Sequence, residues 1–120
     1  MLETTSTARI VLTTAANLEE ANRLGRMLVE DGLAACATLI PAIESIYSWK
    51  GKLETSSEAL LLLKTEAGHL SSMEARLQEL HSYETPEFLV LPVEAASRAY
   101  LAWMMGNLAG SGTPRRPESA

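Results

Sequence analysis

The chain has 120 residues, of which 47% are hydrophobic, and its formal net charge at pH 7 is −5. This length fits one domain. The acidic balance argues against a nucleic-acid partner, because no basic stripe is available to neutralise phosphates. The single cysteine, Cys36, excludes an intrachain disulfide and fits a reducing compartment. No apolar run approaches the length of a membrane span, and residues 1–7 lack a signal-peptide pattern. We therefore expect a soluble, cytoplasmic protein.

The first strand and helix are predicted between residues 9 and 32. Residues 9–14 form a short β-branched run, which is typical of a strand. Asn17 can cap the helix that follows, and Glu20 can reciprocate by accepting a hydrogen bond from the backbone of the cap. Gly32 suits the left-handed conformation that ends many helices. The predicted inner face of this helix consists of Leu18, Ala21, Leu24 and Leu28.

A long hairpin is predicted next, from Ala34 to Thr65. Its first strand runs to Trp49 and is interrupted by Pro41, which indicates a bulge or an edge strand because proline cannot donate to a ladder. Residues 50–52 read as a tight turn. The apolar run at 59–63 is compatible with a buried helix, but the turn before it favours a returning strand.

A second helix, a strand and a third helix complete the chain. Apolar residues recur at helical spacing over 70–80, and a strand follows from Phe88 to Val93. Ser97 can cap the last helix, and residues 110–120 have the composition of a disordered tail. This order predicts one α+β domain over residues 1–109 with the ferredoxin-like βαββαβ fold. It has a four-stranded antiparallel sheet, two helices on one face and an extra C-terminal helix.

The segment from His81 to Glu87 brings an imidazole, a phenol and carboxylates together within seven residues. A helix must end near His81, because Pro86 disfavours helical geometry at the residue before it. His81, Tyr83 and Glu84 are therefore predicted at the rim of a helix, where small folds often place ligand contacts. The structural alternatives are a helix-dipole partner for His81, a packing ring for Tyr83 and a solvated charge for Glu84.

Several blocks of residues occur in a fixed order along the chain. They are Leu33–Cys36 with Ile40 and Pro41, Ser45–Gly51, Lys64 with Thr65, His81–Glu84 with Pro86 and Glu87, and Tyr100–Trp103. Together these blocks resemble the CutA family of divalent-cation tolerance proteins over about residues 9–104. That family usually has proline where Ser82 stands, and we expect serine there to loosen the loop that positions Tyr83.

The resemblance implies a tight homotrimer, similar in form to the signalling PII trimers and assembled through the long hairpin. The residues agree with this, because the hairpin is too long for a sheet whose other strands have about six residues. Its tip should overhang and expose Tyr47 and Trp49, and exposed apolar patches usually mark an interface. The resemblance also implies a role in divalent-metal tolerance, with a metal ion such as Cu²⁺, or another small ligand, bound at clefts between subunits.

A metal site could combine Cys36, His81 and Glu84, because thiolate, imidazole and carboxylate ligands together suit copper or zinc. Cys36 and His81 are predicted at opposite ends of the sheet, roughly 20 Å apart for a six-residue strand. Only a neighbouring subunit could therefore bring the set together. The structural alternative for Cys36 is an inert core thiol.

Lys64 and Trp49 complete the predicted ligand-binding set. Lys64 ends a strand near Cys36 and could contact an anion at a subunit junction, or could simply extend its charge to solvent. Trp49 could line a pocket or only pack. No nucleophile elbow, glycine-rich phosphate loop or catalytic triad can be identified, so we expect a protein that is not an enzyme. Two alternatives stay open: a sensor of a small anionic metabolite acting through partner proteins, and a structural trimer that anchors a partner.

Overall fold

The computed structural model describes residues 1–110. A single 3₁₀ turn, Ala67–His69, lies directly before the second helix. The predicted disordered tail at 110–120 falls almost wholly on residues 111–120, outside the described range. The helices and strands, in chain order, are β1 (Leu2–Thr4), β2 (Ala8–Ala15), α1 (Leu18–Glu30), β3 (Cys36–Trp49), β4 (Lys52–Glu66), α2 (Leu70–Leu80), β5 (Leu89–Pro92), β6 (Ala95–Ser97) and α3 (Arg98–Gly106).

Four of the strands form one antiparallel sheet in the order β3-β4-β2-β5. This is the strand order of the ferredoxin-like fold, and the fold prediction is confirmed. Helices α1 and α2 cover one face of the sheet, and the main core lies between them and the inward side chains of β2 and β4. Its fully buried large members include Val11, Leu24, Leu28, Leu61, Leu63, Met73 and Leu77.

Helix α1 begins and ends largely as its sequence indicates. The Asn17 side chain accepts a hydrogen bond from the Glu20 N–H at 2.8 Å, and Gly32 has a φ of +73°. Two details of the prediction are wrong. The Glu20 carboxylate accepts from the N–H of Ala16 and not from that of the cap, and Leu18 is 47% exposed because it lies at the first turn, outside the core.

The β3–β4 hairpin extends well beyond the rest of the sheet. Strand β2 pairs with β4 only as far as Ala15 opposite Ala59, whereas β3 and β4 stay paired to their turn. The predicted interruption at Pro41 is a bulge, with a register shift between Ile40 and Ile43. Both turn residues, 50 and 51, have positive φ, as a two-residue hairpin turn requires.

The second face of the sheet, hereafter the open face, is covered by neither α1 nor α2. Side chains alternate between the two faces of a strand, so the residues between the buried core positions of β2 and β4 point to this face. It carries many apolar side chains. Its apolar members are Ile10, Leu12, Ile40, Leu60, Leu62, Leu89 and Leu91, of which Ile40, Leu89 and Leu91 are 43%, 54% and 44% exposed.

A second, two-stranded sheet was not predicted from the sequence. Strand β1 pairs antiparallel with β6, and Leu2 lies opposite Ser97. Ser97 also caps α3 as predicted, because its hydroxyl accepts a hydrogen bond from the N–H of Tyr100. Met104 of α3 and Leu108, which follows the helix, pack into a smaller apolar cluster at the end of the main sheet. Among residues 1–110, no helix is long and apolar enough to cross a membrane.

Candidate functional site

The residues after α2 meet the base of the overhanging hairpin and the start of α1. We call this place the Tyr83 site and define it by Glu20, Glu58, His81, Tyr83 and Glu87. Helix α2 ends at Leu80, and the chain then passes in extended conformation through His81 towards β5. The sequence correctly placed the end of the helix, and the loop it predicted there carries three of the five residues.

His81 is buried and uses both nitrogens of its ring. Nε2 lies 2.7 Å from the carbonyl oxygen of Thr14, and Nδ1 lies 3.0 Å from the backbone nitrogen of Tyr83. A carbonyl accepts and an N–H donates, so this pair of contacts fits the neutral ring protonated at Nε2. His81 does lie at the end of α2, as predicted, but its side chain is fully enclosed. The ring is bound to β2 and to its own loop, and not to the last carbonyls of α2.

Tyr83 reaches across to the hairpin. Its hydroxyl donates to Oε2 of Glu58 at 2.6 Å, and its ring lies 4.7 Å from the His81 ring, centroid to centroid. Burial and the hydrogen bond to the Glu58 carboxylate raise the pKa of Tyr83 far above its ordinary value. The phenol therefore stays protonated and acts as a fixed donor.

Two carboxylates contribute negative charge to this site and act on each other electrostatically. Glu58 is buried at the point where β4 leaves the rest of the sheet. Glu87 is half-buried, and burial together with the negative charge of Glu58 raises its pKa. The hydrogen bond from the Tyr83 hydroxyl stabilises only part of the negative charge of Glu58 and Glu87. The site therefore favours a positively charged ligand.

Glu20 joins the loop to α1. Oε1 accepts from the Ser82 hydroxyl at 2.9 Å, and Oε2 accepts from the Ser82 N–H at 2.8 Å. Burial of Glu20 would raise its pKa, but these bonds and the one from Ala16 N–H outweigh burial and lower it. The expectation that Ser82 loosens this loop is wrong, because Ser82 makes two hydrogen bonds that a proline could not make.

Cys36 and Lys64 lie together on the open face, away from the Tyr83 site. Lys64 Nζ donates to Thr38 Oγ1 at 2.7 Å and lies 3.8 Å from Cys36 Sγ. Lys64 pairs with Ile10 of β2, whereas His81 contacts a residue four positions further along that strand, which is about 13 Å. One subunit therefore does not unite Cys36 with His81, in agreement with the sequence-based prediction.

The other two predicted site residues are exposed. Trp49 is 61% exposed at the tip of the hairpin, and the backbone carbonyl of Glu84 accepts from the side chain of Gln78. Within residues 1–110, no three His, Cys, Asp or Glu side chains are grouped so that they could hold a metal ion. The metal site of Cys36, His81 and Glu84 thus remains a prediction, in which residues of neighbouring subunits would have to come together.

Glu20, Glu58 and Glu87 were not predicted as site residues from the sequence. A signal for Glu58 exists, since it is the one charge that immediately precedes the apolar run 59–63 and shares its alternation with Leu60 and Leu62. Glu20 gave no signal of its own, because its position at N3 of a helix is explained by capping alone.

Comparisons with known proteins agree on one family. The model of the family described as CutA1 divalent ion tolerance protein matches residues 9–107. The Divalent-cation tolerance protein CutA of Pectobacterium atrosepticum is 43% identical over 101 residues, covering 84% of this chain and 92% of the relative.

Solved structures give the same picture. CutA from Synechococcus elongatus has a TM-score of 0.87 at 37% identity, covering 91% of this chain and 96% of that one. The same protein complexed with a Bis-Tris molecule has a TM-score of 0.84 at 36% identity, covering 90% and 100%. A CutA from Archaeoglobus fulgidus, described as periplasmic, has a TM-score of 0.81 at 31% identity, covering 83% and 97%.

Proposed function

This chain belongs to the CutA1 divalent ion tolerance protein family, and from that membership we propose a homotrimeric, non-enzymatic protein that takes part in divalent-cation tolerance. In this proposal each subunit contributes a Tyr83 site, and a neighbouring subunit closes it to form a cleft that binds a small cation. The site's charges support a binding role, and no group in it is arranged for a defined reaction.

The surfaces left uncovered by a single chain support the assembly. The open face is apolar, and within residues 1–110 strand β5 pairs only with β2, so its outer edge is available to another strand. The hairpin overhang exposes Ile46, Trp49 and Leu53 by more than 60% each. Exposed strand edges and apolar patches of this kind are usually covered by association.

The observation that carries the ligand part is the negative charge of Glu58, which contacts the Tyr83 hydroxyl, together with the charge of Glu87, on which Glu58 acts electrostatically. The raised pKa of Glu87 means that the folded protein holds this charge at a cost, and a bound cation would remove that cost. Carboxylate oxygens are ligands that divalent cations accept. A protonated amine with hydroxyl groups would also fit, and Bis-Tris, which is present in one solved relative, is a compound of this kind.

A copper site made of Cys36 from one subunit with His81 and Glu84 from another is the narrower form of this proposal. This narrower site would require a change in the structure, because copper bound at His81 would replace one of the two hydrogen bonds that hold the ring. Copper would still be favoured over other divalent ions by such a donor set.

A second candidate function rests on Lys64. Its ammonium group lies on the open face, fixed by Thr38, and subunits that shared this face would bring such groups to their junction. That arrangement favours a small anionic ligand, as a sensor acting through partner proteins would need. Titration with inorganic phosphate separates the two candidates, since Lys64→Met would abolish phosphate binding and leave cation binding intact.

Two measurements test the main proposal. Light scattering at micromolar concentration should give three chains per particle, and one chain per particle would overturn the assembly. Calorimetric titration with Cu²⁺, and separately with Mg²⁺, should show that Glu58→Gln and Glu87→Gln each weaken binding about tenfold, as the loss of one of few ligands does. Glu74→Gln, which removes an exposed charge from α2, is the matched control. Equal affinity in all four proteins would refute cation binding at this site.

We also propose that the protein acts in the cytoplasm. The lone Cys36 is compatible with that compartment, although one relative is described as periplasmic. Fractionation of the producing cells, with detection of the untagged protein, would decide the compartment.

A further inference from the structure

One buried carboxylate holds the loop that carries Tyr83. Glu20 projects from the first turn of α1 and accepts three hydrogen bonds, two of them from Ser82 and one from the Ala16 N–H. Ser82 itself is exposed, so its two bonds to Glu20 are what attach it to the body of the domain. A two-point attachment of one residue fixes both its position and its orientation.

The attachment acts directly on Tyr83. Ser82 lies between His81, whose ring is bound to Thr14 O and to the Tyr83 N–H, and Tyr83 itself. The backbone of Tyr83 is therefore held in place by Ser82 and by His81. Its side chain then spans to Oε2 of Glu58 on the hairpin, at 2.6 Å. A shift of about 1 Å in the loop would break that contact.

We propose that Glu20 is a positioning residue for the Tyr83 site, and that its paired hydrogen bonds with Ser82 fix the loop so that the Tyr83 hydroxyl meets Glu58. The positioning role adds to the proposed function. Only its expected effect on ligand affinity rests on that proposed function. Glu20 stays ionised as this role requires, because its hydrogen bonds lower its pKa, and Arg23 Nη2 lies 3.7 Å from Oε2.

The chemistry at position 82 gives a graded test. Threonine keeps both the N–H and the hydroxyl, alanine keeps only the N–H, and proline keeps neither. Glu20→Gln keeps the shape of the partner but replaces one acceptor oxygen with a donor. Because Ser82 is exposed, these changes remove little apolar packing.

The readout is the hydrogen bond between the Tyr83 hydroxyl and Glu58, followed at neutral pH by the chemical shift of Tyr83 in protein labelled with ¹³C at the tyrosine ζ carbon. Wild type and Ser82→Thr should both show the chemical shift of a phenol that donates to a carboxylate. Ser82→Pro and Glu20→Gln should move that chemical shift towards the value of a solvated tyrosine, and Ser82→Ala should lie between. Glu19→Gln, which removes the neighbouring exposed charge on α1, is the control and should behave as wild type.

The same proteins are titrated with Cu²⁺, with Mg²⁺ and with Bis-Tris. Loss of a hydrogen-bonded charged partner should raise the dissociation constant of whichever probe binds by about tenfold in Ser82→Pro and Glu20→Gln. An unchanged Tyr83 chemical shift in both variants would overturn the positioning role. A Tyr83 chemical shift that moves while every affinity stays constant would uphold that role and refute the proposed cation-binding function.

Discussion

Ala109 packs directly on Gly32. The Ala109 N–H donates to the Gly32 carbonyl at 2.8 Å, and a Cβ added to Gly32 would lie 2.8 Å from the Cβ of Ala109. Gly32 also has a φ of +73°. The segment that follows α3 is thus joined to the end of α1 at a point where only glycine fits.

Gly32→Ala should therefore cost more than the backbone strain alone. We expect a loss of at least about 2 kcal/mol in the free energy of unfolding, measured by urea denaturation, from left-handed strain plus the collision with Ala109. Gly51→Ala is the matched control, because Gly51 has a φ of +79° but nothing within 4 Å of an added Cβ, and it should lose only about 1 kcal/mol. Equal losses would show that Ala109 can move away freely.

Glu87→Gln should stabilise the protein at neutral pH. The folded-state pKa of Glu87 lies above its ordinary value, so its stabilising contribution is complete below that ordinary value and is lost as the pH rises through the folded pKa. Thermal melts should show the variant above wild type at pH 7 and equal to it below about pH 4. A gain that persisted at low pH would point to a cause other than charge.

Addition of a divalent cation gives the complementary result for Glu87. If a cation binds beside Glu58 and Glu87, it should raise the melting temperature of wild type and have little effect on Glu87→Gln. A similar rise in both proteins would place the bound ion elsewhere.

His81→Ala should destabilise the fold, contrary to what a rim residue would do. The change leaves the Thr14 carbonyl and the Tyr83 N–H without their partner and opens a buried space, so we expect a loss of about 2–3 kcal/mol by urea denaturation. We also expect this variant to bind copper about tenfold more weakly, which a copper titration of the same purified protein measures. A stability equal to wild type would contradict the buried ring, and equal copper affinity would remove His81 from the metal set.

Thr13→Val should stabilise the protein by about 1 kcal/mol. Within residues 1–110 the buried Thr13 hydroxyl has no hydrogen-bond partner, and it lies on the core side of β2. Thr65→Val is the matched control, since Thr65 is equally buried but donates to the Leu33 carbonyl at 2.7 Å. The control should lose stability. Opposite signs for the two changes are the expected result, and two losses would imply a partner for Thr13.

The fold was predictable because its signals are local. Helical spacing in α1 and α2, the turn at Gly51 and the interruption at Pro41 each follow from residues close together in sequence. Strands β1 and β6 were not predicted, because each has three residues and neither shows an alternation that spans the pair. Their pairing connects positions more than 90 residues apart.

The candidate site was only half predictable. His81 and Tyr83 belong to one short polar segment, which the sequence displays. Glu58 belongs to the site because the Tyr83 hydroxyl, 25 positions later in the sequence, donates to it. Glu20 belongs to it because Ser82, 62 positions later, donates to its carboxylate. Such contacts depend on tertiary packing, and no periodic pattern in one chain encodes them.

The bulge at Pro41 also sets the phase of the hairpin. Ile40 pairs with Leu60 and Ile43 with Glu58, so two residues an odd number apart lie on the same face. Every residue beyond them is shifted by one step, which places Tyr47 and Trp49 on the side of the open face. Without the extra residue, Ile46 and Ser48 would take that side. One inserted residue thus selects whether a neighbouring molecule would meet the row with Tyr47 and Trp49 or the row with Ile46 and Ser48.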